Sequence, residues 1–178
     1  ALMLVRRGRP LAKTASDQFA LTAPHGEILN SMGVVTESLN TYLDALDFAA
    51  DDVDRCRAWL GIAAGLRLSN DTAGALSLLE RAEPVAKRLG LTLELAQLYH
   101  LRGNLHFVLG NVEACGEAHA EGLDHARRAG SPEAEAKSLG GVGDAAYARG
   151  RMATAFRNFS DCVTLCQHQG LGRVEVAH

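Results

Sequence analysis

Apolar side chains recur every three to four residues along most of this chain, in stretches a few turns long that stop at glycine, asparagine or a serine–proline step. That spacing places the apolar positions on one side of a helix and predicts amphipathic helices rather than strands. The breaks are periodic. Gly90, Gly130 and Gly170 are spaced by 40, each closing a helical stretch, which reads Arg-Leu-Gly and Arg-Ala-Gly at the first two. Asn70, Gly110 and Gly150 repeat at the same interval between them, and Gly33 stands 37 residues before Asn70. First helices are expected at about 22–32, 52–68, 92–108 and 132–148, and second helices at about 35–49, 72–89, 112–129 and 152–169. Asp51, Asn70/Asp71 and Ser131 followed by Pro132 supply N-terminal caps. The glycines at 90, 130 and 170 supply left-handed C-terminal caps.

In that frame the columns align. The first helices carry Gly26, Ala63, Gly103 and Gly143 at one position. The second helices carry Ser38, Ala75, Cys115 and Ala155, then Tyr42, Leu79, His119 and Phe159, then Ala45, Ala82, Gly122 and Cys162. Small residues where backbones meet, with a bulky one beside them, form the signature of tetratricopeptide units, here lengthened from about 34 residues to about 40. The expected fold is all-α, a right-handed superhelical solenoid of antiparallel helix pairs. Its units would cover about 22–50, 51–90, 91–130 and 131–170, with a fifth pair opening at 171–178. Residues 1–21 fall out of register and read as a linker or the end of a preceding helix. Two prolines disturb the pattern: Pro24 implies a late or distorted first helix, and Pro84 a kink or early finish of helix 72–89.

Composition narrows the function classes. Aromatics are 5% and hydrophobic residues 47%, and no run is apolar and long enough to span a membrane. A net charge of −3 argues against a nucleic-acid binder. Four cysteines without a CxxC pair (Cys56, Cys115, Cys162, Cys166) fit reduced thiols in a cytoplasmic protein. The chain starts at Ala1 rather than Met and ends in Val174-Glu175-Val176-Ala177-His178, as a helix cut mid-turn would; an excised piece of a larger protein is expected.

In a stack of helix pairs the first helices line the concave face. The side chains expected there are Arg57, Leu60, Ala64 and Arg67 in one unit, Gln97, His100, Asn104 and Phe107 in the next, and Lys137, Gly140, Asp144 and Tyr147 in the last. This mixture of cations, amides and aromatics suits an extended peptide or a partner helix, and equally the solvated inner face of a structural arm. Exposed terminal helices are a further surface, through which a homodimer could form. Of the Lys/Asn pattern that clamps a peptide carboxylate in chaperone-binding repeats, only Asn104 is in place.

Catalytic and metal chemistry finds little footing. His106, Cys115 and His119 would converge between two helices as a zinc-compatible set, but three ligands at core columns with no fourth read better as packing. Cys162 and Cys166, four apart, read as core, as does Trp59. His125 with Glu121 and Asp124 reads as a surface pairing. The Gly140–Gly143 run lacks the strand and the GKS/T ending of a phosphate loop. No cofactor is called for, and no nucleophile–base arrangement is present.

Three stretches carry a further likeness: Arg57–Arg67 (RAWLGIAAGLR), Glu94–Leu105 (ELAQLYHLRGNL) and Gly141–Ala155 (GVGDAAYARGRMATA). They resemble the C-terminal tetratricopeptide region of bacterial adenylate/guanylate cyclases, in which a cyclase domain precedes an ATPase module and then the repeats. Similar repeats follow ATPase modules in transcriptional activators. The resemblance covers roughly 23–178 and includes none of the cyclase's metal-binding or purine-selecting residues. It implies a regulatory arm in bacterial signal transduction, which senses a protein or peptide, or contacts the parent's own catalytic and ATPase domains.

Overall fold

The computed structural model describes residues 2–8 and 11–172, and among these the regular elements are helices with no strand. They are α1 (Leu2–Gly8), α2 (Ala15–Ser31), α3 (Val35–Phe48), α4 (Asp52–Leu68), α5 (Thr72–Leu89), α6 (Thr92–Val108), α7 (Val112–Ala129), α8 (Pro132–Ala148) and α9 (Met152–Gln169). No helix among the described residues is long and apolar enough to cross a membrane. The chain divides into two compact units, split after Leu89. In the first, α2 pairs with α3 and α4 with α5, α3 and α2 both pack on α4, and α1 leans on α2. In the second, α6 pairs with α7 and α8 with α9, while α7 and α6 both pack on α8.

The columns explain this packing. In the first unit the Tyr42 ring of α3 lies against Gly26 of α2 and Gly61 of α4, and a methyl group added at either glycine would run into it. Ser38 Oγ donates to Gly26 O at 2.8 Å, a contact that needs the two helix backbones close together. In the second unit His119 of α7 occupies the same place between Gly103 of α6 and Gly141 of α8. Gly143 of α8 takes the Phe159 ring of α9. The glycines at 103 and 143 are therefore seats for a neighbour's bulky side chain. Each bulky side chain fills the space left where two backbones approach, so dispersion and burial act together.

Below that column a cysteine and an alanine meet. Cys56 of α4 points its thiol at Ala82 O of α5, 3.9 Å away. In the second unit the roles are exchanged: the thiol of Cys162 in α9 donates to Ala136 O of α8 at 3.2 Å. The partners are 26 residues apart in both pairs. Ala136, Leu139, Cys162 and Cys166 form a buried cluster under Leu123, Leu165 and Leu171. Phe19, Ala45 and Ala58 do the same in the first unit.

Helix ends follow local chemistry. Asp51 accepts from Asp54 N, Asp71 from Gly74 N, and Ser131 from Ala134 N. Gly130 closes α7 at φ 62, and Gly170 closes α9 at φ 67. Asn70 adopts φ 62 at a turn where its counterparts are glycines, as Asn tolerates better than most residues.

The N-terminus differs from the sequence expectation. α2 begins at Ala15, not near 22, because Thr14 and Asp17 form a reciprocal capping box: Asp17 N donates to Thr14 Oγ1 at 3.0 Å, and Thr14 N to the Asp17 carboxylate at 3.1 Å. The side-chain hydrogen bond from Thr14 is the main reason the Asp17 carboxyl titrates below its ordinary value. Pro24 stays inside α2 with its ring exposed. Pro84 likewise ends nothing: α5 continues to Leu89, with Ala82 and Ala86 buried on the face away from the exposed proline. Packing of the apolar face overrides the lost backbone hydrogen bond in both helices. Residues 2–8 form the short helix α1. The expected fifth pair falls outside the described residues beyond 172.

Candidate functional site

Each unit presents a first-helix face, and the residues expected there divide between them. On α4 the spacing 57, 60, 64, 67 keeps one side of the helix. Arg57 is exposed, Ala64 and Arg67 are half-buried, and Leu60 is 4% exposed, so Leu60 belongs to the core and offers a ligand no surface. Burial depresses the Arg67 guanidinium below its usual range.

In the second unit the face is built by α6 and α8. Gln97 is exposed; His100 and Asn104 are half-buried one turn apart, with Asn104 Nδ2 3.1 Å from His100 Nε2. Phe107 ends this row 47% exposed. On α8, Lys137 is drawn sideways into an ion pair with Glu133 at 2.6 Å, Gly140 is buried and Asp144 is half-buried. Tyr147 closes its row 63% exposed. Phe107 and Tyr147 hold equivalent positions, 40 residues apart, in two helices that pack side by side.

His100 has support from behind. The His119 ring lies 5.3 Å from it at an interplanar angle of 58°, and is itself locked between two glycines at 1% exposure. The bulky column marks His119 in the sequence as core; nothing in the spacing signals that its ring backs a face residue.

The His106/Cys115/His119 set is not assembled. Among the described residues no group of three His, Cys, Asp or Glu side chains is placed to hold a metal ion. The His119 ring instead lies between Gly103 and Gly141, where a side chain added at either glycine would run into it. Cys115 is fully buried, and its thiol titrates above the usual range because of burial and the nearby Asp144 carboxylate, against a smaller opposing effect of Arg149. Cys162 and Cys166 are free thiols in the core, and burial, reinforced by Cys166, pushes Cys162 up to about 12. These are inert thiols rather than nucleophiles.

Two other expectations resolve clearly. Trp59 is buried, with the Arg81 guanidinium 4.5 Å over its ring. His125 is not a surface pairing: it is buried and stacked on Tyr99, centroids 5.6 Å apart and nearly parallel. Its column faces α6, which a reading by charge neighbours along α7 alone overlooks.

No protein-family model matches the sequence, and no curated protein matches it either. Solved structures do. A Rap protein complexed with Competence and Sporulation Factor matches with a TM-score of 0.79 at 14% identity, over 95% of this chain and 48% of that one. Aspartyl phosphate phosphatase F from Bacillus subtilis matches at 0.68 and 12%, over 87% of this chain and 43% of that one. BtubC from P. vanneervenii matches at 0.69 and 15%, over 93% and 70%. The chain thus spans less than half the length of these two Rap-type and phosphatase structures. At such identities the likeness concerns fold: the chain is built as an all-α array of tetratricopeptide-like helix pairs.

Proposed function

We propose that this chain is a non-catalytic protein- or peptide-interaction module with a regulatory role, and that it binds through the first-helix face of its second unit. The observation that carries the reading is the pair of aromatic rings, Phe107 and Tyr147, left exposed beside a hydrogen-bonded His100–Asn104 pair. Large rings exposed next to oriented polar groups are what binding surfaces offer: apolar area at low entropic cost, with polar atoms to fix direction. A structure of similar fold, the Rap protein, was solved with Competence and Sporulation Factor bound, which supports a ligand-binding use of such an array.

The test is selection of ligands from a displayed peptide library on the intact protein, followed by affinity measurement with Phe107→Ala/Tyr147→Ala. Loss of two such anchors is expected to weaken the selected ligands by about 2 kcal/mol or more, roughly thirtyfold. Ligands that bind the variant as well as the parent protein would remove the reading. The stretches at 57–67, 94–105 and 141–155 favour a parent that is a multidomain adenylate/guanylate cyclase, with an ATPase-linked transcription regulator as the alternative. The domain encoded beside this chain decides between them: a cyclase domain supports the first, a helix-turn-helix the second. In a cyclase parent, Phe107→Ala/Tyr147→Ala should change cyclase output.

A further inference from the structure

One position of the repeat falls four residues after the small residue of each first helix. The second unit puts Phe107 and Tyr147 there; the first unit puts Asn30 on α2 and Arg67 on α4. α2 and α4 pack on each other, with the Tyr42 ring lying against both Gly26 and Gly61. Asn30 and Arg67 are half-buried, and each hides a polar atom with no hydrogen-bond partner among the described residues, Asn30 Oδ1 and Arg67 Nε. Other arginines are engaged: Arg55 and Arg88 meet Asp52, Arg127 meets Glu135, and Arg81 covers Trp59. The helix dipole favours a cation in the last turn of α4, but it does not account for a buried N–H that no acceptor meets. Atoms withdrawn from water in this way cost free energy that a bound partner group would return.

We propose that Asn30 and Arg67 together form a carboxylate-binding site on the first unit, which takes an acidic group of a peptide with a backbone N–H beside it. The guanidinium donates to the carboxylate, and the Asn30 carbonyl oxygen accepts the neighbouring N–H. Carboxylate rather than phosphate follows from the charge. One guanidinium balances one negative charge, whereas a phosphate dianion desolvated against a single cation stays half-neutralised. A peptide offers this pair of groups at its C-terminus or at an aspartate side chain. The site lies in the first unit and does not depend on the Phe107/Tyr147 face.

The experiment follows the backbone amide shifts of α2 and α4 in the isotope-labelled 178-residue protein. Three N-acetylated tripeptides are titrated: Ala-Ala-Gly with a free C-terminus, the same peptide as its amide, and Ala-Asp-Ala amide. Saturable shifts are expected from at least one of the two carboxylate peptides and not from the neutral one; the one that binds identifies the source of the carboxylate. Arg67→Met, which keeps the apolar stem, and Asn30→Asp, which adds a like charge, should each weaken binding about tenfold or more. Because Arg67→Met removes a desolvated charge, its thermal midpoint should equal or exceed that of the parent protein. Equal shifts from charged and neutral peptides, no shifts at all, or tighter binding of inorganic phosphate than of either carboxylate peptide overturns the proposal. So does a marked fall in the thermal midpoint of Arg67→Met, because the charge then serves the fold.

Discussion

Gly61 and Gly130 are both glycines at element boundaries or interfaces, yet they work for opposite reasons. Gly61 sits mid-helix at an ordinary helical φ, and the Tyr42 ring takes the space of its missing side chain. Gly61→Ala gains up to about 1 kcal/mol in helix propensity but forces the ring off its seat, an overpacking that costs about 1–3 kcal/mol. Net destabilisation by urea unfolding is expected. Gly130 has open space around it and a left-handed backbone, so Gly130→Ala should cost about 1 kcal/mol through φ alone. A Gly61→Ala protein as stable as its parent would contradict the seating of Tyr42.

The thiol of Cys162 makes a second expectation at this scale. Its folded pKa, about 12, lies above the ordinary value of 9.0, because burial favours the neutral form. The unfolded chain ionises first, so the stabilisation is whole below pH 9.0 and is lost as pH rises towards 12. Alkaline unfolding should be shallower in Cys162→Ala, measured as stability against pH. The single residues most legible in the sequence were those in the small and bulky columns. His125 was misplaced because its stacking partner, Tyr99, lies on another helix.

At the scale of elements, the helix boundaries from 35 onward follow the glycine and asparagine turns within a residue or so. α2 departs, because a repeat register carries no information about an irregular N-terminal extension. The local signal was present in Thr14 and Asp17, three apart. Thr14→Ala should cost about 1 kcal/mol and fray the start of α2, visible as faster amide exchange there. The Asp17 half of the box acts above the ordinary carboxylate range and fades as pH falls through its lowered native value. Prolines were over-read. α5 tolerates Pro84 because the ring is exposed and the opposite face is packed, so Pro84→Ala should stabilise by about 1–3 kcal/mol in thermal unfolding.

For the molecule as a whole, the fold was legible because it rests on a few columns that alternate small and large. Structures only 12–15% identical share it, which is expected when volume rather than identity is specified. The candidate face was less legible. Helical spacing located it, but could not tell that Leu60 turns into the core or that Lys137 is engaged by Glu133. Replacing Arg57, Gln97 and Lys137 together by alanine should shift stability by no more than about 0.5 kcal/mol per site, since these side chains lie outside the columns. A collapse of the fold in that triple variant would mean that the face is structural.

The exchanged Cys56/Ala82 and Ala136/Cys162 pairs imply that sulfur is a migratory occupant of this scaffold. In these two hairpins the crossing holds one thiol, contributed by the first helix in one and by the second helix in the other. Transplanting it in one step, Cys56→Ala with Ala82→Cys, should be close to neutral. Within this hairpin either single change, which leaves two sulfurs or none at the crossing, should cost more than the paired exchange, as expected of residues in direct contact.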